Sequence, residues 1–179
     1  MLKQEENIFF FSYGTLINEN ILFKVLKKEN SHFENKFNKH NNNQKITIKS
    51  AILKGYACLT VREAHYPALV SAFNLENFFS QTLNLQTQNE QKHIVFGNLV
   101  SGLDQSDLTK LDEFEGDEYE KKVVQVELMD GIQTSLIDAI VYLYRPVLIA
   151  QNVSPKVWSY EGFTKNHLSQ WLSDPTLLP

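Results

Sequence analysis

A glutamate lies at the end of a predicted helix, on the face that the helix should bury. Leu108 and Leu111 mark this face, and Glu115 follows seven residues after the first and four after the second. At about 100° per residue, the Glu115 side chain falls between the two leucines. Burial raises the pKa of a carboxyl group, and a raised pKa suits a general base near neutral pH. The spacing makes Glu115 a candidate acid/base, with Gly116 predicted to end the helix.

Two interpretations of Glu115 remain open on periodicity alone. In the first, the carboxylate faces a cavity at the helix terminus. In the second, the last turn unwinds and the side chain faces water, since helix ends are uncertain by about two residues. The acidic neighbours are interpreted as a solvated rim, and no metal site is expected there because His or Cys at ligand spacing is missing. These neighbours are Asp112, Glu113, Asp117, Glu118 and Glu120.

A second candidate feature is a tight turn after the first predicted strand. The apolar run 7–12 ends at Tyr13-Gly14-Thr15-Leu16, directly before a predicted helix. Glycine at this point lets the backbone approach a ligand closely, and free N–H groups of such a turn can bind a carboxylate. The segment lacks the glycine spacings of phosphate-binding loops. An ordinary strand–turn–helix connection also fits these residues, so both interpretations stay open.

The strands that must position these residues are short and irregularly spaced. Alternating or fully apolar runs predict them, and Gly55 is predicted to bend the second one. No regular strand–helix alternation is present, which favours an α+β domain with a curved or closed sheet. The predicted strands span 7–12, 46–60, 66–70, 93–103, 124–128 and 138–147.

Three helices are predicted between and after the strands. Asn18 or Asn20 caps the first, Asp104 caps the helix that carries Glu115, and the last begins near Trp158. The last helix is amphipathic and is expected to dock on the domain. Its apolar stripe comprises Phe163, His167, Leu168, Trp171 and Leu172.

Length and composition favour a single soluble domain over residues 1–179. The 179 residues are 42% hydrophobic and 21% charged, with polar insertions predicted near 30–44 and 75–92. A net charge of −4 without a dense basic stripe disfavours nucleic acid or an anionic membrane as partner.

Without a signal-peptide pattern or a membrane-length apolar run, we expect a cytoplasmic location. Cys58, the only cysteine, is interpreted as a packing residue.

Four groups of residues in a fixed order resemble one known family, the γ-glutamyl cyclotransferase superfamily, and most closely its AIG2-like branch. The similarity runs from about Phe9 to Trp171 and is interrupted by the two polar insertions. The matching residues are Tyr13-Gly14-Thr15-Leu16, the middle-strand residues 53–56 and 66–68, the acidic signature 111–119, and Trp158 with Phe163.

The resemblance implies a small closed β-barrel flanked by helices, with a cavity at one end. It implies that Glu115 is the catalytic acid/base of an intramolecular cyclisation that releases 5-oxoproline and an amine or amino acid. Tyr119, Tyr142 and Tyr144 are each expected either to line the cavity or to pack in the barrel core, and Tyr119 is the preferred candidate for the cavity. The resemblance assigns the glutamyl part of the substrate to the loop residues Tyr13, Gly14, Thr15, Leu16, Ile17 and Asn18.

The expected partner is a small γ-glutamyl substrate, bound by a monomer or a homodimer without metal or other cofactor. Glutathione and γ-glutamyl-lysine remain open beside other γ-glutamyl amines and peptides. A different class of function is also open, because a shared fold does not guarantee a shared activity. In that alternative, the chain is a non-catalytic small-ligand-binding or interaction protein.

Overall fold

In its described residues, the chain combines a closed barrel, a smaller sheet and six short helices. The computed structural model describes residues 7–28, 46–79, 93–129 and 134–174. The strands are β1 Ile8–Ser12, β2 Thr47–Lys54, β3 Tyr56–Val61, β4 Pro67–Ser71, β5 Ile94–Leu103, β6 Tyr119–Leu128, β7 Leu136–Tyr144 and β8 Val153–Val157. The helices are α1 Glu19–Val25, α2 Ala72–Phe79, α3 Gln105–Glu115, α4 Pro146–Asn152, α5 Tyr160–Asn166 and α6 Leu168–Ser173, with 3-10 turns at Gly14–Ile17 and Gly116–Glu118.

Five strands close into a barrel in the order β1–β5–β2–β6–β7. Neighbouring strands are antiparallel, except that β1 runs parallel to β7 and closes the barrel through the pair Phe10 and Ile140. The predicted α+β fold, a small closed barrel flanked by helices, is therefore confirmed.

Side chains fill the barrel. Successive residues of a strand point to opposite faces, so each barrel strand contributes alternate side chains to one buried cluster. Gly97 marks a close approach of two strands, since a Cβ there would lie 2.4 Å from the carbonyl oxygen of Ser12. The barrel interior is thus a packed core that leaves ligand binding to its surroundings. The cluster comprises Phe11, Tyr13, Ala51, Leu53, Leu69, Val95, Leu99, Val126, Ala139 and Val141.

The predicted strand 46–60 is two strands that belong to different sheets. β2 lies in the barrel, whereas β3 pairs with β4 and β8 in a three-stranded sheet. Gly55 separates them with a φ of 82°, a conformation that glycine adopts without steric cost. The predicted bend at Gly55 is correct, and the chain changes sheets there. This change brings β4 to the barrel and to the turn after β1.

Side-chain caps begin the helices that lead to the site. The Asn18 side chain accepts hydrogen bonds from two backbone N–H groups in the first turn of α1. Asp104 caps α3 in a capping box with Asp107, so the predicted cap is confirmed. Asp107 is fully buried and also forms ion pairs with Lys28 and Lys110. These contacts fix the start of α3 against the end of α1.

Other predicted segments also differ in the structure. The strand predicted over 138–147 ends at Tyr144, and Pro146 and Val147 begin α4. Residues 75–79, assigned to a polar insertion, belong to α2, which buries Leu75 and Phe79; the rest of that segment and residues 30–44 lie outside the described residues. The final helix is divided at His167 into α5 and α6. Across the described ranges, no helix has both the length and the apolar character needed to cross a membrane.

Candidate active site

A cavity of about 400 Å³ lies where the end of α3 meets the turn after β1. Its volume is in the range of small-molecule sites in proteins. The start of β4, the turn between α3 and β6, and helix α6 complete its wall. The lining residues are Tyr13, Thr15, Leu16, Tyr66, Pro67, Glu113, Phe114, Glu115, Glu118, Tyr119 and Trp171.

Glu115 is the last residue of α3, and it lines the cavity. The helix does not unwind before it, and Gly116 follows with a φ of 64°. The side chain is half-buried, and no residue in the described ranges forms a hydrogen bond or ion pair with its carboxylate. Burial raises the pKa of Glu115 to about 8. A carboxyl group with such a pKa can accept and return a proton near neutral pH.

Two tyrosines share the cavity wall with Glu115 and keep their protons. The Tyr13 hydroxyl donates to the carbonyl oxygen of Tyr142 at 2.7 Å, and the Tyr119 hydroxyl donates to that of Pro67 at 2.8 Å. Burial, and secondly the charge of Glu115, raises the pKa of both phenols. Because both protons are committed to carbonyls, these oxygens offer the cavity only acceptor lone pairs. Such acceptors suit an ammonium or amide N–H.

The turn after β1 contributes only part of its predicted residues to the wall. Gly14 has a φ of 59°, and a Cβ there would lie 2.5 Å from Cγ of Pro67, so this glycine is required for packing against β4. Asn18 is occupied as the cap of α1. Of the predicted binding residues, Tyr13, Thr15, Leu16 and Tyr119 line the cavity, whereas Gly14, Ile17 and Asn18 are absent from its described lining.

The predicted solvated rim is divided between the cavity and the surface. Glu118 lines the cavity, and its carboxylate accepts hydrogen bonds from the hydroxyls of Tyr66 at 2.7 Å and Tyr144 at 3.1 Å. The Tyr144 hydroxyl in turn accepts from the side-chain amide of Asn152. Glu113 also lines the cavity but is exposed. The rim interpretation is therefore wrong for Glu118, which is held firmly in the wall.

Asp112 has a structural role beside the site. It forms an ion pair with Lys121 at 2.8 Å and accepts a hydrogen bond from the Tyr142 hydroxyl at 2.6 Å. Burial, followed by the bond to Asp112, raises the pKa of Tyr142. Tyr142 and Tyr144 support the site from outside its described lining. The described residues contain no group of three or more His, Cys, Asp or Glu that could hold a metal ion.

Trp171 is a wall residue that the sequence pattern did not identify as part of the site. Its apolar spacing predicted a docking helix, and the side chain does pack in the core, with 5% of its surface exposed. It also lines the cavity, and its indole N–H has no acceptor among the residues that the structure describes. The unpaired, buried indole N–H is what distinguishes Trp171 from an ordinary core residue. Only the three-dimensional structure shows whether this N–H has an acceptor.

Cys58, on β3, packs against the cluster that contains Tyr13 and is absent from the described lining of the cavity. Burial raises the pKa of its thiol to about 12, so the side chain stays protonated at neutral pH. A protonated thiol is a poor nucleophile. The packing interpretation of this cysteine fits its surroundings.

Sequence comparison assigns the family. The family described as "Gamma-glutamyl cyclotransferase, AIG2-like" matches residues 10–162, which is most of the chain. The chain belongs to this family. The match includes the turn after β1, the end of α3 and Glu115, so the AIG2-like resemblance drawn from the motifs is confirmed. No curated protein is similar enough to this chain to count as a match.

Solved structures show the same fold at low sequence identity. A protein from Arabidopsis thaliana is 18% identical, with a TM-score of 0.56 over 93% of this chain and 78% of its own. A yeast γ-glutamyl cyclotransferase described as specific to glutathione is 14% identical, with a TM-score of 0.54 over 84% of this chain and 74% of its own. At these identities the likeness extends to the AIG2-like fold alone.

Proposed function

We propose that this AIG2-like chain is a γ-glutamyl cyclotransferase that converts a γ-glutamyl amine or peptide to 5-oxoproline and a free amine or amino acid. One observation carries the proposal. The carboxylate of Glu115 is half-buried, has no partner in the described ranges, has a pKa raised to about 8, and lines a cavity shared with the turn after β1. An unpaired carboxylate at a cavity is costly for stability, and catalysis explains its presence.

The first chemical step removes a proton from the substrate. The α-nitrogen of a γ-glutamyl compound is an ammonium, which has no lone pair for attack. Glu115 in its ionised form takes one proton, and the hydroxyl oxygens of Tyr13 and Tyr119 accept hydrogen bonds from the remaining N–H groups. The freed amine then attacks the γ-carbonyl carbon of the same molecule, which forms the new C–N bond of the five-membered ring.

Ring closure leaves an oxyanion and a nitrogen that must depart. The N–H groups at the start of the Gly14–Ile17 turn have no acceptor within that turn, so they can stabilise the oxyanion or hold the α-carboxylate. Glu115 returns its proton to the leaving nitrogen, the original amide bond breaks, and the oxyanion becomes the lactam carbonyl. The ring nitrogen loses two protons in total, both of which finish on the released ammonium. Glu115 ends the cycle ionised.

The charge of the cavity wall favours substrates that release a cationic amine. Three carboxylic side chains line it, those of Glu113, Glu115 and Glu118, and its described lining includes no Lys, Arg or His. The lysine part of γ-glutamyl-lysine carries an ammonium beside its carboxylate, and the ionised side chains of the wall attract that ammonium. The part of glutathione that leaves carries a carboxylate without an ammonium, and the wall repels it. We therefore rank γ-glutamyl amines, including γ-glutamyl-lysine, ahead of glutathione.

The test is release of 5-oxoproline by wild type and by Glu115→Gln from γ-glutamyl-lysine, γ-glutamyl amino acids and glutathione. We expect wild type to turn over γ-glutamyl-lysine, and we expect Glu115→Gln to lose about 100-fold or more of that turnover. Glu120→Gln is the matched control, since Glu120 carries the same side chain on β6, outside the described lining. This control should keep wild-type turnover.

Other results would change the proposal in defined ways. Equal turnover by wild type and Glu115→Gln would remove Glu115 from the acid/base role. A preference for glutathione would contradict the electrostatic ranking but leave the reaction in place. Absence of turnover on every substrate by folded protein would reject the enzyme and favour a non-catalytic ligand-binding role.

A further inference from the structure

The indole of Trp171 is held firmly in the cavity wall while its polar atom is unused. The ring packs edge-to-face on Phe163, with centroids 5.4 Å apart and an interplanar angle of 89°. Among the described residues, its Nε1 is the single buried side-chain nitrogen or oxygen that lacks a hydrogen-bond partner. A buried donor without an acceptor is destabilising. Because Trp171 lines the cavity, a ligand bound there is a source of the missing acceptor.

The other tryptophan of the chain shows the usual arrangement. Trp158 is close to the same aromatic cluster, with its ring 5.8 Å from that of Phe163. Its indole N–H donates to the carbonyl oxygen of His65 at 3.0 Å. The fold therefore provides an acceptor for one indole and none, among its described residues, for the indole that lines the cavity.

The wall is rich in acceptors and poor in free donors. The hydroxyls of Tyr13, Tyr66 and Tyr119 already donate to protein oxygens. Apart from Glu115 in its protonated form, the only uncommitted side-chain donors in the described lining are the Thr15 hydroxyl and the Trp171 indole N–H. A substrate with a carboxylate needs donors, and without a cationic side chain in that lining they must be neutral ones.

We propose that Trp171 positions the substrate by donating its indole N–H to a carboxylate oxygen of the γ-glutamyl group. This inference rests on the proposed function, because it takes the ligand to be a γ-glutamyl compound. The nitrogen is covered by neighbouring atoms in this structure, so the wall around it shifts when the ligand binds. Trp171 lies beyond the family match, which ends at residue 162.

The direct test observes the two indole N–H groups by NMR. The sample is ¹⁵N-labelled Glu115→Gln protein, whose turnover is expected to be about 100-fold slower or more, titrated with γ-glutamyl-lysine. The chain has two tryptophans, so the spectrum contains two indole signals, assigned by their loss in Trp171→Phe and Trp158→Phe. We expect the Trp171 signal to move to higher proton frequency on binding, as a new hydrogen bond requires, and the Trp158 signal to stay unmoved.

The outcomes separate this inference from the proposed function. Movement of backbone amides near Gly14 and Thr15 with an unmoved Trp171 indole would overturn the role of Trp171 and leave the cyclotransferase proposal standing. No movement of any signal with γ-glutamyl-lysine, γ-glutamyl amino acids or glutathione would show that none of these γ-glutamyl compounds binds, which would overturn the inference together with the proposed function.

Steady-state kinetics add a second measurement. Trp171→Phe keeps an aromatic ring and removes the N–H, so we expect KM for γ-glutamyl-lysine to rise about 10-fold or more while kcat changes little, because a hydrogen bond to a charged acceptor is lost. Trp158→Phe should lower thermal stability through its lost bond to His65 and leave KM unchanged. An unchanged KM in folded Trp171→Phe would overturn the inference.

Discussion

At the start of helix α3, the carboxylate of Asp107 is fully buried and has several partners. It accepts from the backbone N–H of Asp104 and forms ion pairs with Lys28 and Lys110. At the other end of the same helix, the carboxylate of Glu115 is half-buried, and the described residues offer it no hydrogen bond or ion pair. One helix thus carries a carboxylate held for structure and a carboxylate left available for chemistry.

The helix itself strengthens this contrast. Partial positive charge at a helix N-terminus stabilises an anion, and partial negative charge at a C-terminus destabilises one. Asp107 lies in the first turn, the end of a helix that favours a negative charge. Burial disfavours the anion of Glu115, and its place at the last position of the helix adds to that effect. Placing a carboxylate at the end of a helix and beside a cavity is therefore a simple way to raise its pKa towards neutrality.

The pH dependence of activity should show the largest effect. Only ionised Glu115 can accept the substrate proton, and its pKa is raised to about 8. We expect kcat/KM to fall about tenfold for each pH unit below that value, so that activity at pH 5 is about 1000-fold below its plateau. The measurement is 5-oxoproline release from γ-glutamyl-lysine between pH 5 and 10.

A comparison of kcat with kcat/KM sharpens this prediction. A bound substrate ammonium favours ionised Glu115, so the acid limb of kcat should lie at lower pH than that of kcat/KM. An acid limb near pH 4 in kcat/KM would mean that the free-enzyme pKa of the catalytic group is not raised. That result would remove the contrast between the two ends of α3.

Stability should respond in opposite directions when either carboxylate is neutralised. Asp107→Asn removes the charge that Lys28 and Lys110 pair with, and we expect a loss of about 2 kcal/mol in the free energy of unfolding. Both lysines are partly exposed and can turn to water, which keeps the loss moderate. Glu115→Gln should stabilise the protein at alkaline pH. Urea denaturation of the two variants and wild type gives the comparison.

The direction in which Glu115→Gln changes stability follows from the linkage between protonation and folding. The pKa of Glu115 is 4.5 in the unfolded chain and about 8 in the folded protein, so between these pH values the folded state holds a proton that the unfolded state has released. The stability of wild type therefore falls as pH rises across this interval, and Glu115→Gln removes that fall. The same pH slope in both proteins would contradict the raised pKa.

Local sequence information was sufficient for helix α3. A capping residue at Asp104, the leucine spacing and Gly116 all act within a few residues of one another, and together they placed Glu115 at the end of the buried face. The change of sheets at Gly55 was not predictable in the same way. An alternating pattern shows that a segment is a strand, but it does not show which strand will be its partner.

Long-range contacts explain what the sequence did not show in the candidate site. Glu118 was interpreted as a surface residue because its hydrogen-bond partners are distant in the sequence. Tyr66 and Tyr144 lie 52 and 26 residues away from it. Trp171 was interpreted as a core residue because it lies in the apolar stripe of an amphipathic helix. Its N–H is unpaired because none of the described elements packed around it places an acceptor within reach. Both are consequences of packing, and periodicity carries no information about them.

The smallest expected effects on stability concern Asp104 and Gly116, the residues at the two ends of α3. Asp104→Ala loses the N-cap, and Gly116→Ala forces a side chain onto a backbone with φ of 64° where no atom lies within 4 Å of the new Cβ. Each should cost about 1 kcal/mol in unfolding free energy. Their effects on turnover should differ, because Gly116 directs the chain immediately after Glu115, whereas Asp104 acts at the far end of the helix.

We therefore expect Gly116→Ala to lower kcat and Asp104→Ala to leave it unchanged, when both are measured well below their melting temperatures. The comparison uses two variants of similar stability, so a loss of kcat in Gly116→Ala alone reports the position of Glu115. Equal kcat values in both variants and wild type would show that Glu115 keeps its position without the turn at Gly116. The orientation of the carboxylate would then depend on its contacts in the cavity wall.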